Sequence, residues 1–383
     1  ERYFFNQDNR SPEGNKRLDN KRSRVQRGRQ SSKHLKMVDK SYCMSSYLSL
    51  RYVEDDDKQF CEGLRHQVYK QQPLDRKVFV SDAHDIDIAL RNVFRRVSHE
   101  KLGMLLSGGM DSSILASYMP EGSDAYTFRF LGGKYQSDEL KRAEYYARYY
   151  HLNLHYVDID WSTVEQNVDK IMRHKGAPVH SIEPQLYAAA IQAKLDGVTM
   201  LVIGDAADYV FGGMDGLLSR NWSFDQYVKR TIYVNPADVL NEPYDMSYLF
   251  ERYRIGKNSI DYLRFYDEIV TDESYASYEN AFETAEMDFI DPYELLKMAK
   301  PLDLGRIRNG DTKYLIRDLF RMKYPETAVP LKQPMPRPVD EYFANWEGPK
   351  RKEFRTDINM SNFSGNQKWL LYCLERFLNI YDK

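Results

Sequence analysis

Between residues 102 and 203, short apolar runs stop abruptly at loops of Ser, Gly and Asp, and helical spacing resumes after each loop. The run 102–106 (LGMLL) ends in Ser-Gly-Gly and reads as a buried strand meeting a turn, after which SSILASYM resumes as a helix. The same alternation gives strands at 125–130, 154–159 and 199–203, with helices at 139–151, 164–174 and 184–195. Upstream, Ile86, Ile88, Leu90, Val93 and Phe94 fall close to helical spacing over 85–97, and the apolar stretch 45–53 is compatible with a strand or a short helix. Strands alternating with helices require a parallel sheet with right-handed crossovers, so the fold class is α/β. Beyond about residue 220 the chain is Tyr-rich and helical in pattern, and no clear strand is expected there.

Two of the loops carry chemistry. Ser107-Gly108-Gly109-Met110-Asp111-Ser112-Ser113 lies between a buried strand and a helix. Its glycines allow a tight turn that brings backbone N–H groups close to an anion, and the serines add donors at the start of the helix. Asp111 is misplaced as an anion binder but well placed as a ligand for Mg²⁺ on a phosphate, because hard cations take carboxylate oxygens. The spacing is not that of a Walker loop. A plain strand–helix turn with a capping Asp would use the same residue types, but the second loop weakens that alternative. Gly204-Asp205-Ala206-Ala207-Asp208 also follows a buried strand and sets two carboxylates three residues apart. In open parallel sheets, ligands sit beyond the carboxyl ends of the strands, and both loops leave such ends.

Composition narrows the setting. No apolar run reaches the roughly 18–20 residues needed to cross a bilayer, and no signal-peptide pattern is present. Cys43, Cys61 and Cys373 form no metal-ligand spacing and no disulfide framework, so a cytoplasmic location and no membrane partner are expected. Residues 1–40 hold twelve Lys/Arg against five Asp/Glu, leaving the remainder at −9 of a total of −2. That segment is poor in large apolar residues and reads as a flexible basic tail, or else as a docking arm for an acidic partner or nucleic acid. Aromatics are not interleaved in its basic part, so a nucleic-acid partner is not expected.

With these motifs in hand, the chain resembles the synthetase domain of class B asparagine synthetases, a family that includes β-lactam synthetases and lasso-peptide cyclases. SGGMDS is similar to the family's SGGxDS loop and GDAADYVFGG to its second acidic loop. AEMDFIDPYELL, KYLIRDLFRMKYPE and AVPLKQPMPRP are similar to three further family segments in the same order, and the resemblance spans most of residues 45–345. It implies a doubly wound, mostly parallel PP-loop (ATP pyrophosphatase) sheet with a helical C-terminal region. The implied organisation is a tail over 1–40, a connector over 41–83, an ATP-binding core over 84–220 and a helical part over 221–383 carrying the Lys332 loop. It also implies ATP and Mg²⁺. Ser107, Gly108, Gly109, Asp111 and Ser112 would hold the pyrophosphate end of ATP, and Leu106, Phe128 and Gly204 would lie against adenine and ribose. Asp111 and Asp208 would bind Mg²⁺, Asp205 would handle protons or contact the intermediate, and Lys332 would contact the leaving phosphates.

The implied reaction adenylates a small-molecule or peptide carboxylate for attack by ammonia or an amine, releasing AMP and pyrophosphate. Departures from the family pattern gather on the acceptor side: Ala206 for Gly, Tyr209 for Glu, Glu286 for Arg, Pro330 for Arg, and Pro334-Met335 for Gly-Phe. Glutamine-dependent members carry an N-terminal catalytic cysteine in a glutaminase domain. Here only the basic tail precedes the connector-like segment, so ammonia is expected from solution, from a separate glutaminase or from a substrate amine. The alternatives are a tRNA-modifying PP-loop enzyme and a non-catalytic nucleotide-binding subunit. Sulfur-transferring members of the wider group usually carry paired reactive cysteines, which this sequence lacks.

Overall fold

The alternation of apolar runs and helical segments becomes a five-stranded parallel sheet. A computed structural model describes residues 37–69, 71–132, 137–331, 335 and 337–382. The strands are β1 (Leu102–Leu105), β2 (Asp124–Phe130), β3 (Asn153–Ile159), β4 (Met200–Val202) and β5 (Asp288–Ile290). Their order across the sheet is β5-β4-β1-β2-β3, with every neighbouring pair parallel. The chain starts mid-sheet, runs outward through β2 and β3, then returns to the far side of β1 for β4 and β5. The winding therefore reverses between β1 and β4, which is where an open α/β sheet leaves a crevice beyond its carboxyl ends. Both motif loops leave the sheet at that reversal.

The helices follow from caps and apolar faces. The stretch around residues 45–53 folds as α1 (Lys40–Leu50): the Asp39 carboxylate accepts from Tyr42 N at 3.0 Å, and Arg51 ends the helix in the left-handed region at φ 68°. In α2 (Ala83–Arg96), Ile86, Ala89, Leu90, Val93 and Phe94 make the buried face, whereas Ile88 points to solvent. Next come α3 (Met110–Ala116), α4 (Ser137–Tyr149), α5 (Trp161–Lys175) and α6 (Glu183–Leu195). They are followed by α7 (Ala206–Val210), α8 (Phe224–Thr231), α9 (Thr271–Thr284), α10 (Tyr314–Lys323) and α11 (Gly365–Tyr381). Helix α6 has no polar side because it packs against both α5 and α9. Helix α11 opens on a Ser364–Gln367 capping box and buries Trp369, whose indole N–H donates to Val179 O at 2.9 Å.

The C-terminal half corrects one expectation. It is not free of strands: β5 extends the central sheet, and Leu296–Met298 pairs in parallel with Val78–Val80. Each segment has only three residues, and those of β5 are all half-buried, so neither shows an apolar alternation that a sequence window could register. The boundary expected near residue 220 is thus crossed by the sheet itself. The basic segment 1–36 lies outside the described residues. Among the described residues, no helix is long and apolar enough to cross a membrane.

Candidate active site

Gly108 shapes the first loop. Its φ is +75°, and a Cβ there would lie 2.6 Å from Ala143 N and 2.8 Å from Glu139 O on α4. No other residue type fits both the backbone angle and the space. Arg142 Nε donates to Gly108 O at 3.1 Å and ties the turn to α4. Inside the turn, Ser107 Oγ accepts from Gly109 N at 3.2 Å and lies 3.0 Å from Ser112 Oγ, while Ser113 Oγ donates to Gly109 O at 2.7 Å. The loop is thus built from its own hydroxyls before any ligand arrives.

The two acidic loops meet on one lysine. Lys313 Nζ lies 2.6 Å from Asp111 Oδ2 and 2.9 Å from Asp208 Oδ1, with a side chain only 6% exposed. Burial alone would lower its pKa, but the two carboxylates outweigh that and hold it above the ordinary lysine value. Lys313 stands just before α10 with φ 49°, a left-handed backbone that a lysine adopts only at a cost of about 1–3 kcal/mol. Gly213 makes room on the other side, since a Cβ there would run into Asp208 Oδ1. Asp208, Asp111 and Lys313 come from three distant segments and converge at the reversal of the sheet.

A model of the asparagine synthase family matches residues 89–291, more than half of the chain. The chain belongs to the asparagine synthase family. Membership in this family makes it an ATP-using enzyme of ligase type. Among curated protein sequences none matches it significantly. Solved structures with partial likeness include an NH3-dependent NAD synthetase of Campylobacter jejuni, at 16% identity and TM-score 0.24, matched over 35% of this chain and 61% of that one. An NMN synthetase of Francisella tularensis is matched at 10% identity and TM-score 0.27, over 67% of this chain and 100% of that one. A U34-tRNA thiolase of Methanococcus maripaludis is matched at 13% identity and TM-score 0.28, over 83% and 87%.

A cleft of about 400 Å³ collects most of the candidate residues of this family member. Leu106, Ser107, Gly109, Asp111, Ser112 and Phe128 line one side, and Gly204, Asp205 and Asp208 the other. Gly108 stands behind the loop, against α4. Lys332 lies outside the described residues. Lys313, which opens the segment KYLIRDLF and was not among the expected site residues, is the lysine that pairs with both carboxylates. A lysine heading a family-like segment was the available signal; its partners, about 100 and 200 residues upstream in a folded parallel sheet, gave none.

Two further residues fix the loops and were not expected. Asp291, immediately after β5, is 2% exposed and accepts from Ala206 N at 2.7 Å and Tyr293 N at 3.0 Å. Burial pushes its carboxyl well above the usual range, opposed by those two N–H groups. Tyr293 is fully buried, and its hydroxyl donates to Asp111 O at 3.0 Å, so β5 braces both acidic loops at once. Beyond them, Asp205 Oδ2 accepts from Ser274 Oγ of α9 at 2.7 Å. Burial, with Asp208 and Glu273 nearby, raises the Asp205 carboxyl to about 7. Of the departures from the family pattern, Tyr209, Pro330 and Met335 line this cleft, whereas Glu286 pairs with Lys194 at 2.8 Å on the outside.

The donor set suits Mg²⁺ carried on a phosphate. Two carboxylate oxygens already approach one point charge, Lys313 Nζ, within 2.6 and 2.9 Å, so they converge closely enough for a single cation. Among the described residues no group of three His, Cys, Asp or Glu side chains gathers as a metal cage. Mg²⁺ characteristically takes one or two carboxylates and completes its shell with phosphate oxygens and water.

Proposed function

We propose that this enzyme is an AMP-forming amide synthetase: it adenylates a substrate carboxylate and passes the acyl group to ammonia or an amine. The observation that carries the reading is the Asp111–Lys313–Asp208 junction at the sheet reversal, with the turn of Ser107–Ser112 on one side and Asp205 on the other. In this reading the loop N–H groups and the Ser107 and Ser112 hydroxyls hold the β- and γ-phosphates of ATP, and Leu106, Phe128 and Gly204 border the nucleoside. Asp111 and Asp208 would hold Mg²⁺, which when bound would offset phosphate charge. Lys313 keeps the two carboxylates together without ligand and turns its ammonium toward the departing pyrophosphate when ATP is present. Lys332 is assigned to the same phosphates.

The substrate carboxylate oxygen attacks the α-phosphorus of ATP; the α–β bridging bond breaks and pyrophosphate leaves. The amine then attacks the acyl carbon and AMP departs. The proton lost from the attacking nitrogen needs an acceptor, and a carboxyl titrating about 7 at the end of the cleft, Asp205, is matched to that task near neutral pH. The protein's contribution is mainly placement and fixed charge. A sulfur-transferring chemistry has less support, because none of the three cysteines lines the cleft and Cys43 and Cys373 are buried elsewhere.

Incubation of the full chain with Mg-ATP, a panel of carboxylic acids and ammonia tests the reading. AMP and pyrophosphate in equal amounts are expected with the productive acid. ADP with orthophosphate would exclude adenylation.

A further inference from the structure

Helix α3, which follows the Ser107–Ser112 turn, tightens at its far end. Ser117 N, which a continuing α-helix would aim at Ser113 O, donates instead to Ile114 O at 3.1 Å, and Tyr118 N and Met119 N also reach back three residues. A side chain from another helix takes over the Ser113 carbonyl. Tyr324, 6% exposed and directly after α10, donates its hydroxyl to Ser113 O at 2.5 Å. The hydroxyl of Tyr150, directly after α4, donates in turn to Tyr324 Oη at 2.7 Å. Burial, then Tyr150, holds the Tyr324 phenol above the ordinary tyrosine value, so it remains a donor across the neutral range.

These two bonds close a ring of contacts around the turn. On one side α4 holds it, through Arg142 Nε on Gly108 O and through backbone packed against Gly108. On the other side α10 is fastened to α3 at both of its ends. Lys313, just before α10, lies 2.6 Å from Asp111 Oδ2, and Tyr324, just after it, holds Ser113. The last turn of α10 has its own anchor: Lys323 Nζ lies 3.0 Å from Asp87 Oδ1 of α2 and 4.0 Å from the centre of the Tyr118 ring. Tyr150 joins the two sides, because it leaves α4 and bonds to the residue that leaves α10.

The rings alone would fill this space, since Tyr324 packs against Tyr146 with centroids 5.2 Å apart and against Phe320 at 4.8 Å. The two hydroxyls add direction. They fix α3, the turn that opens it and the helix behind Lys313 as one body.

We propose that Tyr324, aimed by Tyr150, is a positioning residue for ATP: its hydroxyl sets the angle at which α3 presents the Ser107–Ser112 turn to the β- and γ-phosphates. The proposal rests on the reading of that turn as the phosphate holder, and gives control of its orientation to a side chain that touches no ligand.

The test uses the full chain and compares Mg-ATP with AMP by calorimetry, because AMP offers the turn no β- or γ-phosphate. The parent should bind Mg-ATP more tightly than AMP. Tyr324→Phe, which keeps the ring, should weaken Mg-ATP binding about five- to tenfold, the effect of one lost hydrogen bond, and leave AMP affinity unchanged. Tyr150→Phe should give a loss of the same kind, and the double variant should lose no more than Tyr324→Phe, since Tyr150 reaches the turn only through Tyr324. Tyr118→Phe controls for general loosening: it removes a hydroxyl that donates to Asp87 Oδ1 at 2.6 Å beside the same helix end. It should lower the melting temperature and leave the ratio of the two affinities alone. An unchanged ratio in Tyr324→Phe, additive losses in the double variant, or the same change of ratio in Tyr118→Phe would overturn the proposal and leave the reading of the turn standing. A parent with equal affinity for Mg-ATP and AMP would remove that reading, and the proposal with it.

Discussion

Lys313 Nζ is nearly out of contact with water, paired with two carboxylates, and carried on a left-handed backbone. Removing one member of a buried ion-pair group typically costs about 3–5 kcal/mol, because the remaining charges stay buried and unpaired. In Lys313→Ala, Asp111 and Asp208 would face each other uncompensated, so Mg²⁺ should raise the melting temperature of the variant more than that of the parent; equal shifts would show that the two carboxylates do not share a cation. AMP formation should fall roughly a hundred- to a thousand-fold, the usual cost of removing a fixed charge that acts on a developing one. Lys313→Arg should not restore it, since a planar fork cannot replace a compact ammonium between two carboxylates.

Asp205 makes a prediction in pH. Its carboxyl is raised to about 7 from an ordinary 3.8, so the stability it contributes is fully present below about 3.8 and is lost as pH rises through 7. Asp205→Asn, which stays neutral, should therefore be more stable than the parent at pH 8 and gain nothing at pH 3. The gain should be on the order of 1–3 kcal/mol, less than the full shift would give because the residue is only half-buried. The same variant should lose the rise of amide formation with pH near 7. Thermal melts at the two pH values and a pH–rate profile check both statements.

At the scale of elements, a three-residue strand does more than its length suggests. β5 adds the edge of the sheet, and the residues just after it hold both acidic loops: Asp291 through Ala206 N, and Tyr293 through Asp111 O. Tyr293→Phe deletes one hydroxyl and leaves a carbonyl to find water, so a loss of about 0.5–1.5 kcal/mol is expected with a modest drop in Mg-ATP affinity. Asp291→Ala leaves two buried N–H groups without an acceptor and should cost more, about 2–4 kcal/mol, read by urea titration. On the opposite loop, Gly108→Ala meets α4 backbone at 2.6 Å and a positive φ together. It should abolish Mg-ATP binding in calorimetry while the far-UV spectrum stays close to that of the parent.

Across the whole molecule, the site depends on chain beyond the family-matched span. The match ends at residue 291, yet Lys313 and Arg337 reach the cleft from beyond it, and α11 buries Trp369, Leu374 and Phe377 in the common core. A fragment of residues 37–291 should therefore neither unfold cooperatively nor bind Mg-ATP; a sharp melt together with normal binding would show that the later helices are dispensable.

The sequence alone was enough for the α/β class, four of the five sheet strands and the two loops whose carboxylates Asp111, Asp205 and Asp208 line the candidate cleft. Those signals are local: an apolar run, a turn of small residues and a helical period can each be read within about a dozen positions. The tertiary structure decided the rest, because the deciding contacts join residues far apart in the chain. β5 is too short and too little buried to show a period, and the pairing of Lys313 with two carboxylates exists only once α10 sets it between the two loops. Arg51, His180 and Arg337 lie well over a hundred positions apart from end to end, and only the packing of α1 and α9 around the sheet makes them one wall of the cleft. Charge convergence is a property of folded distance, and spacing along the chain does not encode it.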